Sequence, residues 1–317
     1  MGRGQPRLHS SVLDLNALPL PDLFHALTAD GLLRRTLEIA RNEDLGAAGD
    51  ITTDSIIPED AIASATLGAR RPGVVAGLAA VPLLLDVFGC PADVAIRRPD
   101  GSRCQAGDVL ARLEGPLRGI LAIERTLLNL IGRLSGVATI TDAHVQQVRG
   151  TGAVVCDTRK TTPGLRGVEK YAVRCGGGTL HRVGLYDAAL YKDNHLAHVP
   201  TVGLTQAINR AVRAVRASAS PRFVEVEVDS LAQLEAVLAC EEGLVDVILL
   251  DNMPLQMLRE AVEKRNRSGR RVLLEASGGV SLGAIRAIAE SGVERVSVGA
   301  ITHSAPALDV GLDIEPS

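Results

Sequence analysis

The chain has 317 residues, a formal charge of −3, no Trp and only three Phe and three Tyr. This length suits one or two α/β domains with an aliphatic core, while mild acidity and scarce aromatic rings argue against a nucleic-acid partner. The five cysteines are odd in number and form no C-x-x-C pair, which indicates a reducing compartment without disulfides or a zinc site. The longest apolar run, 74–85, is too short for a membrane span, and residues 1–21 lack the apolar core of a signal peptide. We therefore expect a cytoplasmic protein without a membrane or nucleic-acid partner.

The first half of the chain mixes helical and strand patterns without a regular repeat. Residues 1–30 predict an irregular lead-in that could end in a short helix, and the apolar spacing over 32–40 predicts another helix. Between 61 and 115, short alternating stretches broken by Gly and Pro predict strands, with a short helix at 82–88. Apolar residues at helical spacing then predict a longer helix over 117–134. This half indicates an α+β arrangement.

From about residue 150, six short apolar runs each end in charged or Gly-rich residues, at 160, 195, 229, 252, 279 and 303. Helical patterns lie between them, and this alternation is typical of a parallel α/β barrel or a doubly wound sheet. We favour the barrel because polar residues follow every strand, where barrels place their chemistry. An open sheet would concentrate them at one switch point. Because six strands are fewer than eight, we expect an incomplete barrel.

Glycines follow the last two predicted strands, in Ser277-Gly278-Gly279 and in Gly299-Ala300. Loops after the last strands of a barrel often bind phosphate through backbone N–H groups, and glycine lets the backbone approach closely. Each loop alone could be an ordinary turn. The pair in consecutive strands favours a phosphate site.

Carboxylates lie on two neighbouring predicted strands. Glu225 and Glu227 are two residues apart and share a face of their strand, opposite an alternating row of valines. Together with Asp251 on the next strand, they could bind Mg²⁺ or ribose hydroxyl groups. The alternative is internal ion pairing, and we favour the ligand role for Glu227 and Asp251 more than for Glu225.

Cations gather at the ends of the first two predicted barrel strands. Arg159, Lys160, Arg182 and Lys192 all lie there or in the loop between. Because the planar guanidinium donates two parallel hydrogen bonds to a carboxylate or phosphate, convergence of these groups indicates a multiply charged anionic ligand. His181 and His195 could act as acid–base groups, with a structural role equally open for His195, and His303 would order a loop near the phosphate.

A long segment carries a resemblance to a known family. Residues 157–195 read DTRKTTPGLRGVEKYAVRCGGGTLHRVGLYDAALYKDNH, which resembles nicotinate-nucleotide pyrophosphorylase (carboxylating), also called quinolinate phosphoribosyltransferase. The resemblance continues through EDLGAAGDITT, ERTLLNLIGRLSGVAT, FVEVEVDS, ILLDN, LEASGG and VGAITHSAPALDVGLDI, in the family's order. It covers nearly the whole chain from residue 31.

The resemblance implies a fold and an assembly. It divides the chain into an N-terminal α/β sandwich domain at 1–128, an incomplete α/β barrel at 129–304 and a C-terminal segment at 305–317 that returns to the first domain. It also implies a homodimer whose sites lie between one barrel and the partner's N-terminal part.

The implied reaction joins quinolinate to 5-phosphoribosyl-1-pyrophosphate. The ring nitrogen attacks C1 of the ribose, pyrophosphate leaves, and loss of the 2-carboxylate as CO2 gives nicotinate mononucleotide on the route to NAD. Mg²⁺ is expected with the donor, and no organic cofactor is expected because the pyridinium nitrogen is itself the electron sink.

The resemblance also assigns residues. Quinolinate would contact Arg159, His181, Arg182 and Lys192, with Arg125 reaching the site from the other subunit. The donor and its phosphates would contact Thr158, Lys160, Glu227, Asp251, Ser277, Gly278, Gly279, Gly299, Ala300, Ile301 and Thr302. Lys160, Lys192, Glu227 and Asp251 form the expected catalytic set, and Glu227 with Asp251 the expected Mg²⁺ ligands.

One position departs from the family, and three alternatives stay open. Leu180 precedes His181 where the family usually has Asn, which could shift the loop that carries His181 and Arg182. The alternatives are the molybdenum-transport-associated paralogue of this family, a Schiff-base aldolase using Lys192, and a non-catalytic phosphometabolite-binding protein.

Overall fold

The computed structural model describes residues 13–315. The first part contains α1 (Leu20–Thr28), α2 (Leu32–Leu45), α3 (Ile51–Ile56), β1 (Ile62–Ala69), β2 (Gly73–Val74), α4 (Val81–Phe88), β3 (Asp93–Ile96), β4 (Arg103–Cys104), β5 (Val109–Pro116) and α5 (Leu117–Val148). The second part contains β6 (Val154–Cys156), α6 (Arg166–Cys175), β7 (Ala189–Tyr191), α7 (Asp193–Leu196), α8 (Thr201–Ser218), β8 (Val224–Val228), α9 (Leu231–Leu238), β9 (Val247–Asp251), α10 (Leu255–Ser268), β10 (Leu273–Ser277), α11 (Ile285–Ala289), β11 (Arg295–Ser297), α12 (Ala300–His303) and β12 (Val310–Glu315).

An antiparallel sheet with strand order β12-β1-β5-β3 organises the first part. Every second side chain of β1 is buried, from Ala63 through Ala65 and Leu67 to Ala69, which is the pattern of a strand with one face on a core. The last strand, β12, returns to pair with β1, with Ala65 opposite Ile314.

Helix α5 connects the two parts. It contacts β1, β5 and β12 on one side and β6, α6 and α11 on the other, as one continuous helix. The expected division after residue 128 falls within this helix, and that division stays a prediction. Among residues 13–315, no helix combines the length and the apolar character that crossing a membrane requires.

The second part is built on a six-stranded parallel sheet with the order β6-β11-β10-β9-β8-β7. Its central strand β9 is apolar throughout up to Asp251, as expected for a strand covered on both faces. Thr179 forms a parallel β-bridge with Cys156 on the free edge of β6. Two residues later, the ring of His181 contacts Glu225 on β8. The sheet therefore curls into an incomplete barrel, as predicted. Among the described residues, no strand pairing joins the Thr179 segment to β7.

The lead-in predicted at 1–30 contains helix α1, which packs on the barrel helix α6. Leu23 is fully buried, and the rings of Phe24 and Tyr171 meet edge to face with centroids 5.2 Å apart. Gly167 on α6 allows this approach, since a Cβ there would lie 2.5 Å from the carbonyl oxygen of Leu27. Residues 1–12 of the predicted lead-in lie outside the described residues.

The crossing of α5 by the C-terminal segment gives a stability prediction. A Cβ at Gly136 would overlap the backbone oxygen of Pro306, so we expect Gly136→Ala to destabilise the fold by about 1–3 kcal/mol through overpacking. Gly203 on α8 is the control because nothing lies within 4 Å of its added Cβ; Gly203→Ala should be neutral or stabilising by up to about 1 kcal/mol. Urea unfolding measures both, and equal stability of the two variants would contradict the crossing.

Candidate active site

The parallel strands bring the predicted site residues to one edge of the barrel, the carboxyl edge. Thr158, Arg159 and Lys160 follow β6, Lys192 follows β7, and Glu227 and Asp251 lie at the ends of β8 and β9. The two Gly-containing segments follow β10 and β11. Helix α12 covers 300–303, so the second segment continues directly into a short helix.

Two guanidinium groups at this edge lack counter-ions. The Nε of Arg159 is buried without a hydrogen-bond partner, and within residues 13–315 its side chain forms no ion pair. Arg182 is buried and donates one long hydrogen bond, 3.4 Å, to the oxygen of Ala188. Burial and the positive charge of Arg159 lower the pKa of Arg182, although Glu225, Asp187 and Glu227 oppose this. Two close, weakly satisfied guanidinium groups favour an anion with more than one carboxylate.

The imidazole of His181 is buried and uses both ring nitrogens within the protein. Its Nε2 lies 2.7 Å from Glu225 Oε2, and its Nδ1 accepts the backbone N–H of Arg182 at 2.8 Å. Burial opposes a charge on His181, but Glu275 and Glu225 together raise its pKa. The Arg182 N–H places the ring proton on Nε2, because a second proton on Nδ1 would face that donor. A direct contact between His181 and substrate stays a prediction.

Acidic residues form the floor beneath His181. Glu275 lies 3.5 Å from His181 and pairs with Arg295 at 2.5 Å. Burial would raise the pKa of Glu275, but His181 and Arg295 lower it. Burial and the charge of Glu275 raise the pKa of Glu225. The sequence offered Glu225 either as a less favoured ligand or as a partner in internal ion pairing, and its contact with His181 is of the second kind. Glu275 and Arg295 were not anticipated.

A fully buried ion pair supports the same loop from the other side. Lys170 on α6 lies 2.6 Å from Asp157 at the end of β6, and both side chains have no exposed surface. Asp157 also accepts the backbone N–H of His181 at 2.8 Å. Burial raises the pKa of Asp157, against the opposing charge of Lys170. Both residues stand in the cationic stretch of the sequence, but their pairing depends on the fold.

Arg133 and Glu169 connect the loop after β6 to α12. Glu169 accepts from Arg133 at 2.8 Å and from the backbone N–H and hydroxyl of Thr162 at 3.0 and 2.7 Å. Arg133 also donates to the backbone oxygens of Ala305 and Thr302. The hydroxyl of Thr302 donates to the oxygen of Lys160 at 2.7 Å. Thr302 is thus placed as a support of Lys160, a role that the sequence did not indicate.

The predicted phosphate segments differ in what they offer. Ile301 has a fully buried side chain, so only its backbone could face a ligand. Gly278 has a φ of 96°, and a Cβ there would overlap the side chain of Asn252. Within residues 13–315, the N–H groups of Gly278 and Gly279 have no acceptor. Unpaired N–H groups on a glycine-rich turn are suited to an anion.

The carboxylates at the ends of β8 and β9 line a cleft of about 320 Å³. Glu227 Oε2 pairs with Lys192 at 2.7 Å, and Asp251 Oδ2 accepts from Asn252 at 2.7 Å. Asp193 and Asp229 line the same cleft. The second oxygens of Glu227 and Asp251 have no partner in the described part of the chain. Two carboxylates fit Mg²⁺, which commonly binds through one or two carboxylates and the phosphates of its substrate.

Arg125 and the remaining histidines lie apart from this arrangement. Arg125 is exposed on α5 and forms no hydrogen bond or ion pair with residues 13–315. His195 is exposed and its Nδ1 accepts the backbone N–H of Lys192 at 2.9 Å, while His303 contacts Ser304. Leu180, the departure from the family pattern, points into the core with 1% of its surface exposed.

These features define a class: an α/β barrel with a cationic pocket, an acidic cleft and glycine-rich turns at one edge, suited to joining an anionic acid to a phosphorylated sugar. Residues 50–135 match the family model described as quinolinate phosphoribosyl transferase, N-terminal domain, and residues 137–313 match its C-terminal domain. The chain therefore belongs to the quinolinate phosphoribosyltransferase family.

Individual relatives agree with the family models. The chain is 48% identical to the nicotinate-nucleotide pyrophosphorylase [carboxylating] of Mycobacterium leprae over 89% of this chain and 96% of that protein. It is 41% identical to a probable enzyme of the same name from Methanothermobacter thermautotrophicus, over 84% and 93%. The solved nicotinate-nucleotide pyrophosphorylase of Francisella tularensis superposes with a TM-score of 0.78 at 34% identity, covering 96% of this chain and 100% of that one.

The buried Asp157–Lys170 pair gives a second prediction. Asp157→Asn would leave the Lys170 ammonium buried without a counter-ion, so we expect a loss of about 3–5 kcal/mol of stability. Asp54→Asn is the control, since Asp54 pairs with Arg118 at the surface and should cost no more than about 1 kcal/mol. Thermal melting of both variants measures this. A melting temperature for Asp157→Asn equal to that of the control would show that the Asp157–Lys170 pair does not stabilise the loop that contains His181.

Proposed function

We propose that this chain transfers the phosphoribosyl group of 5-phosphoribosyl-1-pyrophosphate to quinolinate, with loss of CO2, to give nicotinate mononucleotide in NAD biosynthesis. The observation that carries the proposal is the pair of guanidinium groups of Arg159 and Arg182: neither forms an ion pair within residues 13–315, and the charge of Arg159 lowers the pKa of Arg182. Quinolinate has two adjacent carboxylates, and a planar guanidinium binds a carboxylate through two parallel bonds. A monoacid would leave part of this positive charge unmatched.

The donor would occupy the acidic side of the edge. Glu227 and Asp251 would hold the ribose hydroxyls or Mg²⁺, which fits their free oxygens on one cleft. The turn at 277–279 and the segment 299–302 would take the 5-phosphate. The ammonium group of Lys160, an exposed residue, has no partner among the described residues and would face the pyrophosphate. When bound, Mg²⁺ would neutralise the charge of the leaving pyrophosphate.

The proposed catalysis depends on position and electrostatics. The ring nitrogen of quinolinate forms a bond to C1 as the bond from C1 to pyrophosphate breaks, through a transition state with positive charge on the ribose. Holding both substrates in line supplies much of the rate, and fixed charges stabilise the charge that develops. Loss of the 2-carboxylate leaves its electron pair on C2 beside the pyridinium nitrogen, and a proton then replaces CO2.

The surroundings of Lys192 disfavour the aldolase alternative. A lysine that forms a Schiff base needs a neutral amine, commonly obtained in an apolar pocket or beside another cation. Lys192 is instead ion-paired with Glu227 at 2.7 Å. We therefore assign Lys192 to charge pairing at the junction of the two substrates. The five free cysteines, all buried, fit the cytoplasmic location that we also propose.

A turnover assay tests the proposed function. The protein is mixed with quinolinate, 5-phosphoribosyl-1-pyrophosphate and Mg²⁺, and nicotinate mononucleotide and CO2 are measured, with nicotinate replacing quinolinate in a parallel reaction. We expect product in the reaction with quinolinate and none in the reaction with nicotinate. Chelation of Mg²⁺ should abolish product formation from quinolinate. Bound donor without product from quinolinate would refute the acceptor assignment.

Removal of one orphan guanidinium should impair this turnover. We expect Arg182→Ala to lose about 2–4 kcal/mol of transition-state stabilisation, the scale for a preorganised donor, seen as a lower kcat/KM for quinolinate. Arg213→Ala is the matched control because Arg213 pairs with Glu241 on the exposed surface of α8. A near-wild-type kcat/KM for Arg182→Ala would remove Arg182 from the site.

We further propose a homodimer in which Arg125 completes the site of the partner subunit. The support is that Arg125 is exposed on α5 and unpaired within the described chain, although it lies in the matched family region. An exposed cation placed across a two-fold interface would add a further positive charge to the quinolinate pocket.

Subunit mixing tests this arrangement. Arg125→Ala and Arg182→Ala chains should each be nearly inactive alone. A mixed dimer would contain one intact site if Arg125 acts across the interface, so random mixing after refolding should restore about a quarter of wild-type activity. If Arg125 serves its own barrel, both mixed sites are damaged and no activity returns.

A further inference from the structure

The side-chain amide of Asn16 pairs with both backbone groups of Leu180. The N–H of Leu180 donates to Asn16 Oδ1 at 2.8 Å, and Asn16 Nδ2 donates to the oxygen of Leu180 at 3.1 Å. The two residues are 164 positions apart in sequence. Leu180 is buried, and no other residue within 13–315 bonds to these two backbone groups.

The segment around Asn16 is itself anchored on the barrel. Arg174, near the end of α6, donates to the backbone oxygen of Asn16 at 3.1 Å and to that of Gly178 at 2.9 Å. The N–H of Asn16 donates to Asp14 at 3.0 Å. Helix α1, directly after this segment, packs on α6. Asn16 is therefore held in place against helix α6 of the barrel.

Leu180 immediately precedes His181 and Arg182, two of the predicted quinolinate contacts. Residues 179–183 are attached on the barrel side by Thr179 to β6, by the N–H of His181 to Asp157 and by the N–H of Val183 to Asp187. On the outer side, Asn16 holds Leu180. The peptide that carries His181 and Arg182 is thus held by two separate sets of hydrogen bonds, and removal of the set from Asn16 would let Arg182 move relative to Arg159.

We propose that Asn16 is a positioning residue for recognition of the dicarboxylate: by pairing with the backbone of Leu180, it sets the distance between the guanidinium groups of Arg182 and Arg159. The kinetic consequence of this inference rests on the proposed function. The hydrogen bonding of Asn16 to the backbone of Leu180 can be tested without turnover. Within residues 13–315, the hydrogen bonds of Asn16 go to Asp14, Arg174 and Leu180, none of which is a predicted substrate contact.

The test compares Asn16→Ala with Asn209→Ala. Asn209 is a matched control because its amide oxygen also accepts a backbone N–H, that of Glu241 at 3.1 Å, on a distant face. Asn16→Ala should raise the KM for quinolinate about tenfold, equivalent to about 1.4 kcal/mol, and leave the KM for 5-phosphoribosyl-1-pyrophosphate within about twofold. A uniform fall in kcat with both KM values unchanged would indicate a structural role and overturn the proposal.

A second variant covers the case in which Asn16→Ala fails to fold. Asn16→Asp keeps the acceptor for the Leu180 N–H but loses the donor to the Leu180 oxygen, so it should show an intermediate rise in the quinolinate KM. An unchanged KM for this variant would overturn the proposal.

Hydrogen exchange separates failure of this inference from failure of the proposed function. The amide of Leu180 should exchange faster in Asn16→Ala, which removes its acceptor, than in the wild-type chain, and Asn209→Ala should not affect it. This result is expected even if the wild-type chain does not turn over quinolinate, whereas unchanged exchange would refute the pairing of Asn16 with Leu180 whatever the activity.

Discussion

The buried ion pair between Asp157 and Lys170 is the interaction on which the proposed site depends. Asp157 joins three parts of the barrel: it directly follows β6, it neutralises a lysine on α6 and it accepts the N–H of His181. Because both charges are fully buried, neither can be lost without leaving the other uncompensated. The open barrel has no strand between Thr179 and β7, so this segment lacks the backbone hydrogen bonds of a sheet. The Asp157–Lys170 pair and the bond from the His181 N–H to Asp157 hold the segment in their place.

The same edge keeps part of its positive charge unpaired. Elsewhere several arginines pair with carboxylates, as Arg213 pairs with Glu241 and Arg265 with Glu294. Arg159 and Arg182 lack such partners, and holding them close is unfavourable until an anion arrives. Glu225, an acidic neighbour of His181, acts to raise the pKa of Arg182, but within residues 13–315 it forms no ion pair with that guanidinium group. His181, Glu225, Glu275 and Arg295 are thus paired with one another, while the guanidinium groups of Arg159 and Arg182 stay available to bind a dicarboxylate.

Much of the fold could be read from the sequence, because apolar runs ending in polar residues indicate parallel strands locally. The contacts that support the site could not, since they join distant positions. Asp157 meets Lys170 only after α6 folds back, and Asn16 meets Leu180 across 164 positions of the sequence. The departure at Leu180 raised a question that only the structure could address: its side chain lies in the core, and its backbone is held by an amide from the lead-in that appeared irregular.

A crystal structure with quinolinate bound would test the central claim most directly. We predict that the two carboxylates bind the guanidinium groups of Arg159 and Arg182, with the ring nitrogen directed toward the cleft of Glu227 and Asp251. Quinolinate bound elsewhere on the barrel, with Arg159 and Arg182 still unpaired, would contradict the assignment of these guanidinium groups as the substrate site.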